Sequence, residues 1–451
     1  MRQGYPCLCF YKEKEVTMKR YLLVIFMLGI LYLNGTVVDQ FIEDIEKGNF
    51  AKAEESYNKT LVEVLKPGRL EIVWNSLAES AGKYDKVVST TADVREEFTS
   101  YTVVLKFEYI FIDMLITVDK EELLSGLFFK PSTYSEGEEK LPPYVDKKSY
   151  FEEEVEFMCG DYLMKGSLVV PKGRRGFPIL VMATGSGPND RDETVGSNKP
   201  FRDLAYGLGS MGVATLRYDK RTLTFPKLLN DKPDFDIDDE YTVEVKAAVD
   251  FVTEKYKGRN IYYLGHSMGA FMAPRILNND SRIKAAVMMA ANARPLEDLV
   301  YEQVEYIMNM NDSFNQKDLD EIAVRRDNIK KIKDISVKVE GTPLLGLSKE
   351  YWLSLNRYNL IEEAAVSKNP ILVLQGERDY QVTMTDFNIW KSNFDLDGNW
   401  NFLSYEKLNH LFMSGEGPSK PKEYMVPNFV DRTVIKDISN WILNLESGRR
   451  K

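Results

Sequence analysis

From residue 150 onward the chain alternates two apolar patterns, and this alternation narrows the possible folds more than any other feature. Short continuous runs such as "FPILVMATG", "VATLRYD", "NIYYLG", "IKAAVMMAA" and "NPILVLQGERD" read as buried strands. Between them, "FRDLAYGLGSMG" and "VEVKAAVDFVTEKYKG" read as helices. Val434, Ile435, Ile438, Trp441 and Ile442 mark one face of a last helix. Strands that are apolar throughout are covered on both faces, as in a largely parallel sheet with helices on either side. The predicted fold class is therefore α/β over residues 150–447. Such sheets place ligands beyond the carboxyl ends of the strands. Residues 296–366 interrupt the alternation with mostly polar helical sequence. Either a cap inserted over the site or an ordinary extra helical layer fits this segment.

The preceding sequence reads differently. Val38, Phe41, Ile42 and Ile45 share one helix face, and "RLEIVWNSLAESAG" is a further helix. Residues 101–119, "YTVVLKFEYIFIDMLITVD", are β-branched and aromatic, as strands prefer. Helices followed by antiparallel strands predict a small α+β domain over 38–130. Residues 131–149 are rich in Pro, Ser, Gly and charge, and read as a linker.

Residues 1–37 carry a targeting pattern. Lys19 and Arg20 precede the apolar stretch 21–33, which fits a secretory signal and is short for a spanning helix. No A-x-A-like cleavage site follows, so an uncleaved anchor stays open, as does a start at Met18. A buried helix of the first domain is the plainer alternative, but the stretch has no polar face. The chain is expected outside the cytoplasm, periplasmic or secreted, with membrane contact only through 21–33.

The formal net charge is −10, and no basic tract stands out. Nucleic acid and anionic membrane are poor partners for such a chain. The three cysteines, Cys7, Cys9 and Cys159, have no zinc-ligand spacing. Cys159 reads as a small strand residue.

The chemistry is carried by Gly265-His266-Ser267-Met268-Gly269, a G-x-S-x-G sequence between the strand "NIYYLG" and a helix start. That order suits a nucleophile elbow, a sharp turn projecting the serine hydroxyl from the sheet. A serine needs a base, and the chain has only two histidines. His266 adjoins the nucleophile on a turn where neighbouring side chains diverge, which leaves His410. The base needs an acid to fix its tautomer. Asp379 stands in the right chain order after Ser267 and before His410, with Glu377 as rival. For the oxyanion, the N–H of Met268 is one donor. The loop 184–193, "TGSGPNDRDE", supplies the other from Ser186, with Gly185 an equal alternative. Asp190, Arg191 and Asp192 are expected to brace that loop by ion pairs.

Together "TGSGPNDRDE", "NKPFRDLAYGLGSMGVATLRYDKR", "LGHSMGA", "ANARPLEDL", "PILVLQGERDYQV" and "LNHLF" resemble bacterial α/β-hydrolases of the esterase and serine-aminopeptidase-like group. The segment around "DQFIEDIEKGNFAKA" is similar to the start of a small domain of unknown function, with a nuclear-transport-factor-like fold, that often precedes them. The resemblance spans roughly residues 38–445. It implies the nucleophile at Ser267, the acid at Asp379 and the base at His410. Thr184 departs from the histidine common in the oxyanion loop, and Ala270 from a frequent third glycine. The expected activity is a carboxylesterase acting on small, short-acyl esters, with no metal or organic cofactor. An exported peptidase with the same triad, or a binding protein on the same scaffold, are the alternatives. The sequence says nothing of oligomeric state.

Overall fold

In the computed structural model the apolar runs become neighbouring strands of one sheet. It describes residues 36–448 apart from 133, 135, 138–139, 174–175, 311–314, 335 and 337–343. The apolar stretch 21–33, Cys7 and Cys9 lie outside the described residues. Two compact units meet in sequence at Tyr134 and Ser135.

Among its described residues the second unit holds eight strands. They are β5 (Tyr150–Cys159), β6 (Tyr162–Pro171), β7 (Ile179–Ala183), β8 (Ala214–Tyr218), β9 (Ile261–His266), β10 (Ile283–Met289), β11 (Ile371–Gly376) and β12 (Trp400–Tyr405). Their order across the sheet is β12-β11-β10-β9-β7-β8-β6-β5. The six from β12 to β8 are parallel, whereas β6 runs antiparallel to β8 and pairs with β5 as a hairpin. Every residue of β7, β8, β9 and β11 is buried, which explains their unbroken apolar runs. Ile179 and Val181 face one core while Leu180 and Met182 face the other. Helices cover both faces because strand side chains alternate sides. The alternation read in the sequence does not announce β5. At its far edge, Val155, Phe157 and Cys159 point inward while Glu154, Glu156 and Met158 are exposed.

Among its described residues, segment 296–366 forms the α-helices Leu296–Met310, Gln316–Lys330, Lys349–Arg357 and Leu360–Val366. The third of these helices is tied to the core by the buried Trp352 and Tyr351. Tyr358, just after it, meets Phe271 edge to face at 4.9 Å. The stretch read as a linker ends sooner than residue 149. Tyr144 packs against the second unit's core and its hydroxyl donates to the Val430 carbonyl at 2.7 Å. The proline-rich composition of this stretch hid an aromatic anchor.

Among the described residues of the first unit, the helix Val37–Glu46 comes first, with Thr36 and Asp39 forming a reciprocal N-terminal cap. Val38, Phe41 and Ile45 are buried and Ile42 half-buried. Four antiparallel strands follow as a meander, β1 (Tyr84–Val94), β2 (Thr99–Phe107), β3 (Phe111–Val118) and β4 (Leu124–Pro131). Trp74, from the helix Arg69–Ala81, closes their core beside Tyr84 and Phe107, with ring centroids at 5.2 and 5.6 Å. Among the described residues no helix is long and apolar enough to cross a membrane.

Candidate active site

The sheet changes winding direction between β9 and β7. After β7 the chain moves to β8 on one side, and after β9 it moves through β10 to β12 on the other. A crevice opens at such a switch point, outside the carboxyl ends of the strands. Ser267, the loop 184–193, Asp379 and His410 follow the carboxyl ends of β9, β7, β11 and β12 respectively.

Ser267 follows β9 directly and has φ 53° and ψ −117°, a conformation that L-residues rarely adopt. Its N–H donates to the Met289 carbonyl at 2.8 Å, which fixes the turn to β10. The flanking glycines have a steric reason. A Cβ on Gly265 would lie 2.3 Å from the Gly269 backbone. One on Gly269 would lie 2.4 Å from the Ala183 carbonyl oxygen of β7. The turn is therefore closed against itself and against the neighbouring strand.

Asp379 lies three residues beyond the end of β11, in the turn rather than on the strand itself. One carboxylate oxygen accepts the N–H groups of Gln381 and Val382 at 2.8 and 3.0 Å. The other stands 2.6 Å from His410 Nδ1 and also accepts from Gln375 at 3.2 Å. Both residues are buried. Glu377, the rival acid, is exposed and binds the Ser404 hydroxyl instead. A carboxylate at Nδ1 leaves Nε2 as the nitrogen free for proton transfer. The Ser267 hydroxyl forms no hydrogen bond to that nitrogen in this structure. Such contacts commonly tighten only when substrate binds.

The glycine-rich loop after β7 distinguishes its two oxyanion candidates. The Gly185 N–H is taken up by the Glu193 carboxylate at 2.5 Å. The amides of Ser186 and Met268 have no acceptor among the described residues. Both of these residues line a cavity of about 570 Å³. Its wall includes Leu229, Phe235 and, from the 296–366 segment, Leu347 and Tyr351.

Sequence reasoning set His266 aside, but the structure makes it a link. His266 Nδ1 is 2.9 Å from Glu193 Oε1, and its Nε2 is 2.9 Å from the His410 carbonyl oxygen. A carbonyl can only accept, so Nε2 carries a hydrogen. Burial pulls the His266 pKa down, yet the adjacent Glu193 carboxylate outweighs it and the net shift is upward. The pair thus ties the glycine-rich loop 184–193 to the segment bearing His410. The imidazoles of His266 and His410 lie 4.6 Å apart. Glu193 itself passed unremarked at the end of "TGSGPNDRDE". The signal that finds it is a second histidine in need of a buried partner.

The expected ion pairs brace the loop with one exception. Arg191 pairs with Asp219 at 2.7 Å and with Glu154, and Asp192 pairs with Arg217. Asp190 instead caps the turn, accepting from the Thr194 N–H and hydroxyl at 2.9 and 2.7 Å. Cys159 is a buried strand residue whose thiol is pushed up to about 11 by burial. Among the described residues no three His, Cys, Asp or Glu side chains are placed to hold a metal ion.

Residues 198–388 match the family described as serine aminopeptidase, S33, and residues 38–127 match a protein of unknown function, DUF3887. The chain is 34% identical over 403 residues to esterase EstD of Thermotoga maritima, covering 89% of this chain and 94% of that one. Among solved structures, Est1E from Butyrivibrio proteoclasticus aligns at 13% identity with TM-score 0.43, over 65% of this chain and 99% of that one. A 2,6-dihydroxy-pseudo-oxynicotine hydrolase aligns at 16% identity with TM-score 0.42, over 66% and 69% of the two chains. Identity with EstD at this level, over nearly the whole of both proteins, settles the kinship: the chain belongs to the α/β-hydrolase family, as an enzyme of its esterase and serine-aminopeptidase-like group with a DUF3887 domain ahead of the catalytic one.

Proposed function

We propose that this enzyme is a carboxylic ester hydrolase acting on small, short-acyl esters through Ser267, His410 and Asp379. The observation that carries the reading is the meeting, at one sheet edge, of a strained serine and a histidine held at Nδ1 by a buried carboxylate. In this mechanism His410 Nε2 takes the Ser267 proton as the hydroxyl oxygen attacks the acyl carbon. The Met268 and Ser186 N–H groups hold the resulting oxyanion. His410 then protonates the departing alkoxide, leaving an acyl-Ser267 ester. Water, deprotonated by the same histidine, displaces the acyl group as the acid.

The cavity beside Met268 and Ser186 takes the acyl group. Its wall is largely apolar, but Glu240 and Tyr351 are part of it. A long alkyl chain would have to lie against these polar groups, which favours shorter acyl groups. The same detail weighs against an aminopeptidase. The two oxygens of Glu240 are engaged by Lys220 and by the Tyr351 hydroxyl, so this carboxylate is not free for a substrate ammonium.

The test is hydrolysis of p-nitrophenyl esters from acetate to palmitate by the wild type, Ser267→Ala and His410→Ala. The expected result is a rate highest on the short esters and lowered by about three orders of magnitude or more in both variants. A wild type that neither cleaves these esters nor is labelled by a fluorophosphonate would sink the reading. Labelling without ester cleavage would move it to aminoacyl substrates. The export pattern of residues 1–37 supports action outside the cytoplasm. Fractionation of cells expressing the full chain tests that, and activity confined to the cytosol would refute it.

A further inference from the structure

The Gly185 carbonyl oxygen accepts three hydrogen bonds. They come from Lys220 Nζ at 3.0 Å, the Tyr241 hydroxyl at 2.8 Å and Asn189 Nδ2 at 3.1 Å. A carbonyl oxygen has two lone pairs, so three donors exceed what burial alone demands. One donor is an ammonium, and Lys220, Tyr241 and their partner Glu240 are all buried. Lys220 also binds Glu240 and the Tyr241 oxygen, so the donors are locked to one another. Tyr241 and Glu240 sit on a π-helical turn, Asp238–Thr242, that leads into the helix Val243–Lys255. Such turns commonly mark functional places in a helix.

We propose that Lys220, acting with Tyr241, is a positioning residue for the oxyanion site: it orients and polarises the Gly185–Ser186 peptide so that the Ser186 N–H is a fixed, strengthened donor. This rests on the reading of Ser267 as nucleophile. The Gly185 C=O and the Ser186 N–H belong to one planar trans peptide and point in opposite directions. Clamping the oxygen therefore aims the hydrogen. A charge-assisted bond to the oxygen also draws electron density from the nitrogen, and hydrogen bonds in series strengthen one another. On the preceding peptide, Glu193 holds the Gly185 N–H, so the residue is fixed on both sides. A buried Lys–Glu pair contributes little to stability compared with apolar groups of the same shape. Its ammonium is directed at the one loop whose amide faces the reaction.

The test compares the wild type with the double variant Lys220→Met/Glu240→Gln, which removes both charges together, and with Tyr241→Phe. The readouts are kcat, KM and the affinity for a trifluoromethyl ketone. That probe adds to the serine oxygen, passes the serine proton to the histidine and leaves an oxyanion like that of the intermediate. The double variant is expected to lose about 10- to 100-fold in kcat and in ketone affinity together, with KM within about twofold. Tyr241→Phe is expected to lose several-fold in both. A folded double variant with kcat and ketone affinity unchanged overturns the proposal. So does a rise in KM alone, which would mean that the pair acts only on substrate binding, through the cavity wall that Glu240 lines. Should the double variant not fold, unchanged ketone affinity in Tyr241→Phe overturns it equally. A wild type inert to both ester and ketone removes the underlying reading and this proposal with it.

Discussion

At the level of single residues, a carboxylate and a histidine pair account for most of the geometry. Asp379 has one oxygen on two backbone amides and the other on His410, so the imidazole is held in one tautomer. Asp379→Asn would turn a donating amide or a neutral acceptor toward Nδ1, and kcat should fall by about 10²- to 10⁴-fold with KM little changed. Glu377→Gln serves as the comparator and should leave the rate within about twofold, since Glu377 is exposed and bonded to Ser404. Equal losses in the two variants would mean that the acid has been misassigned. His266→Asn breaks the link to Glu193 and to the His410 carbonyl. A displacement of about 1 Å in the base should lower kcat by about 10- to 100-fold, measured on the ester for which the wild type is fastest. Ser267 and His410 were legible because the elbow is a contiguous motif and the chain has two histidines. The preference for Asp379 over Glu377 rests on chain position and the family resemblance, and Ser186 and Gly185 stay level in the sequence. Each choice turns on which side chain or amide is already engaged, and spacing does not record that.

The elements explain why a serine can be held in so strained a turn. The short helix after Ser267 is pressed against the end of β7, with Gly269 touching the Ala183 and Thr184 carbonyls. In Gly269→Ala the new methyl would stand 2.4 Å from the Ala183 oxygen, so helix and strand must part. Overpacking of this kind destabilises by about 1–3 kcal/mol. A lowered thermal midpoint with a parallel loss of fluorophosphonate labelling is the expected outcome, and a midpoint equal to wild type would contradict it. The interior strands were readable as continuous apolar runs because both their faces are covered. The β5–β6 hairpin was less so. In β5 only one residue in two faces the core, and its glutamates bind partners far along the chain, such as Arg191 and Arg217. Lys220 and Arg221 were visible within "VATLRYDKR" without a role. The partner of Lys220, Glu240, lies twenty residues later on a turn that no local pattern announces, and the partner of Arg221, Glu244, lies in the first turn of the helix that follows it.

At the scale of the whole molecule, several buried groups among the described residues fold with their protons favoured, Asp203, Glu244 and His266 among them. Burial raises Asp203 to about 6 against the pull of Arg202, and raises Glu244 to about 7 against Lys220 and Arg221. His266 is raised net by Glu193 despite its burial. Each folded pKa lies above its unfolded value, so the native chain binds more protons than the unfolded one over this range. Their stabilisation is complete below the unfolded values and is lost as pH rises through the folded ones. Carboxylates with lowered pKa, such as Glu154 and Asp250, act in the opposite sense, but only below about pH 4.5. Urea midpoints should therefore fall from pH 5.5 to pH 8.5, and Glu244→Gln should flatten the slope; a midpoint rising with pH would refute this. The partition of the site along the chain has a practical consequence. Glu193, His266 and Ser267 precede residues 296–366, while Asp379 and His410 follow them, and the two halves of the sheet join along the parallel pairing of β10 with β11. A polypeptide broken within that segment would yield two pieces, each holding only part of the proposed triad. Fused to two interacting baits, such pieces would generate colour from a chromogenic ester only where the baits meet, which makes this chain a scaffold for a split reporter.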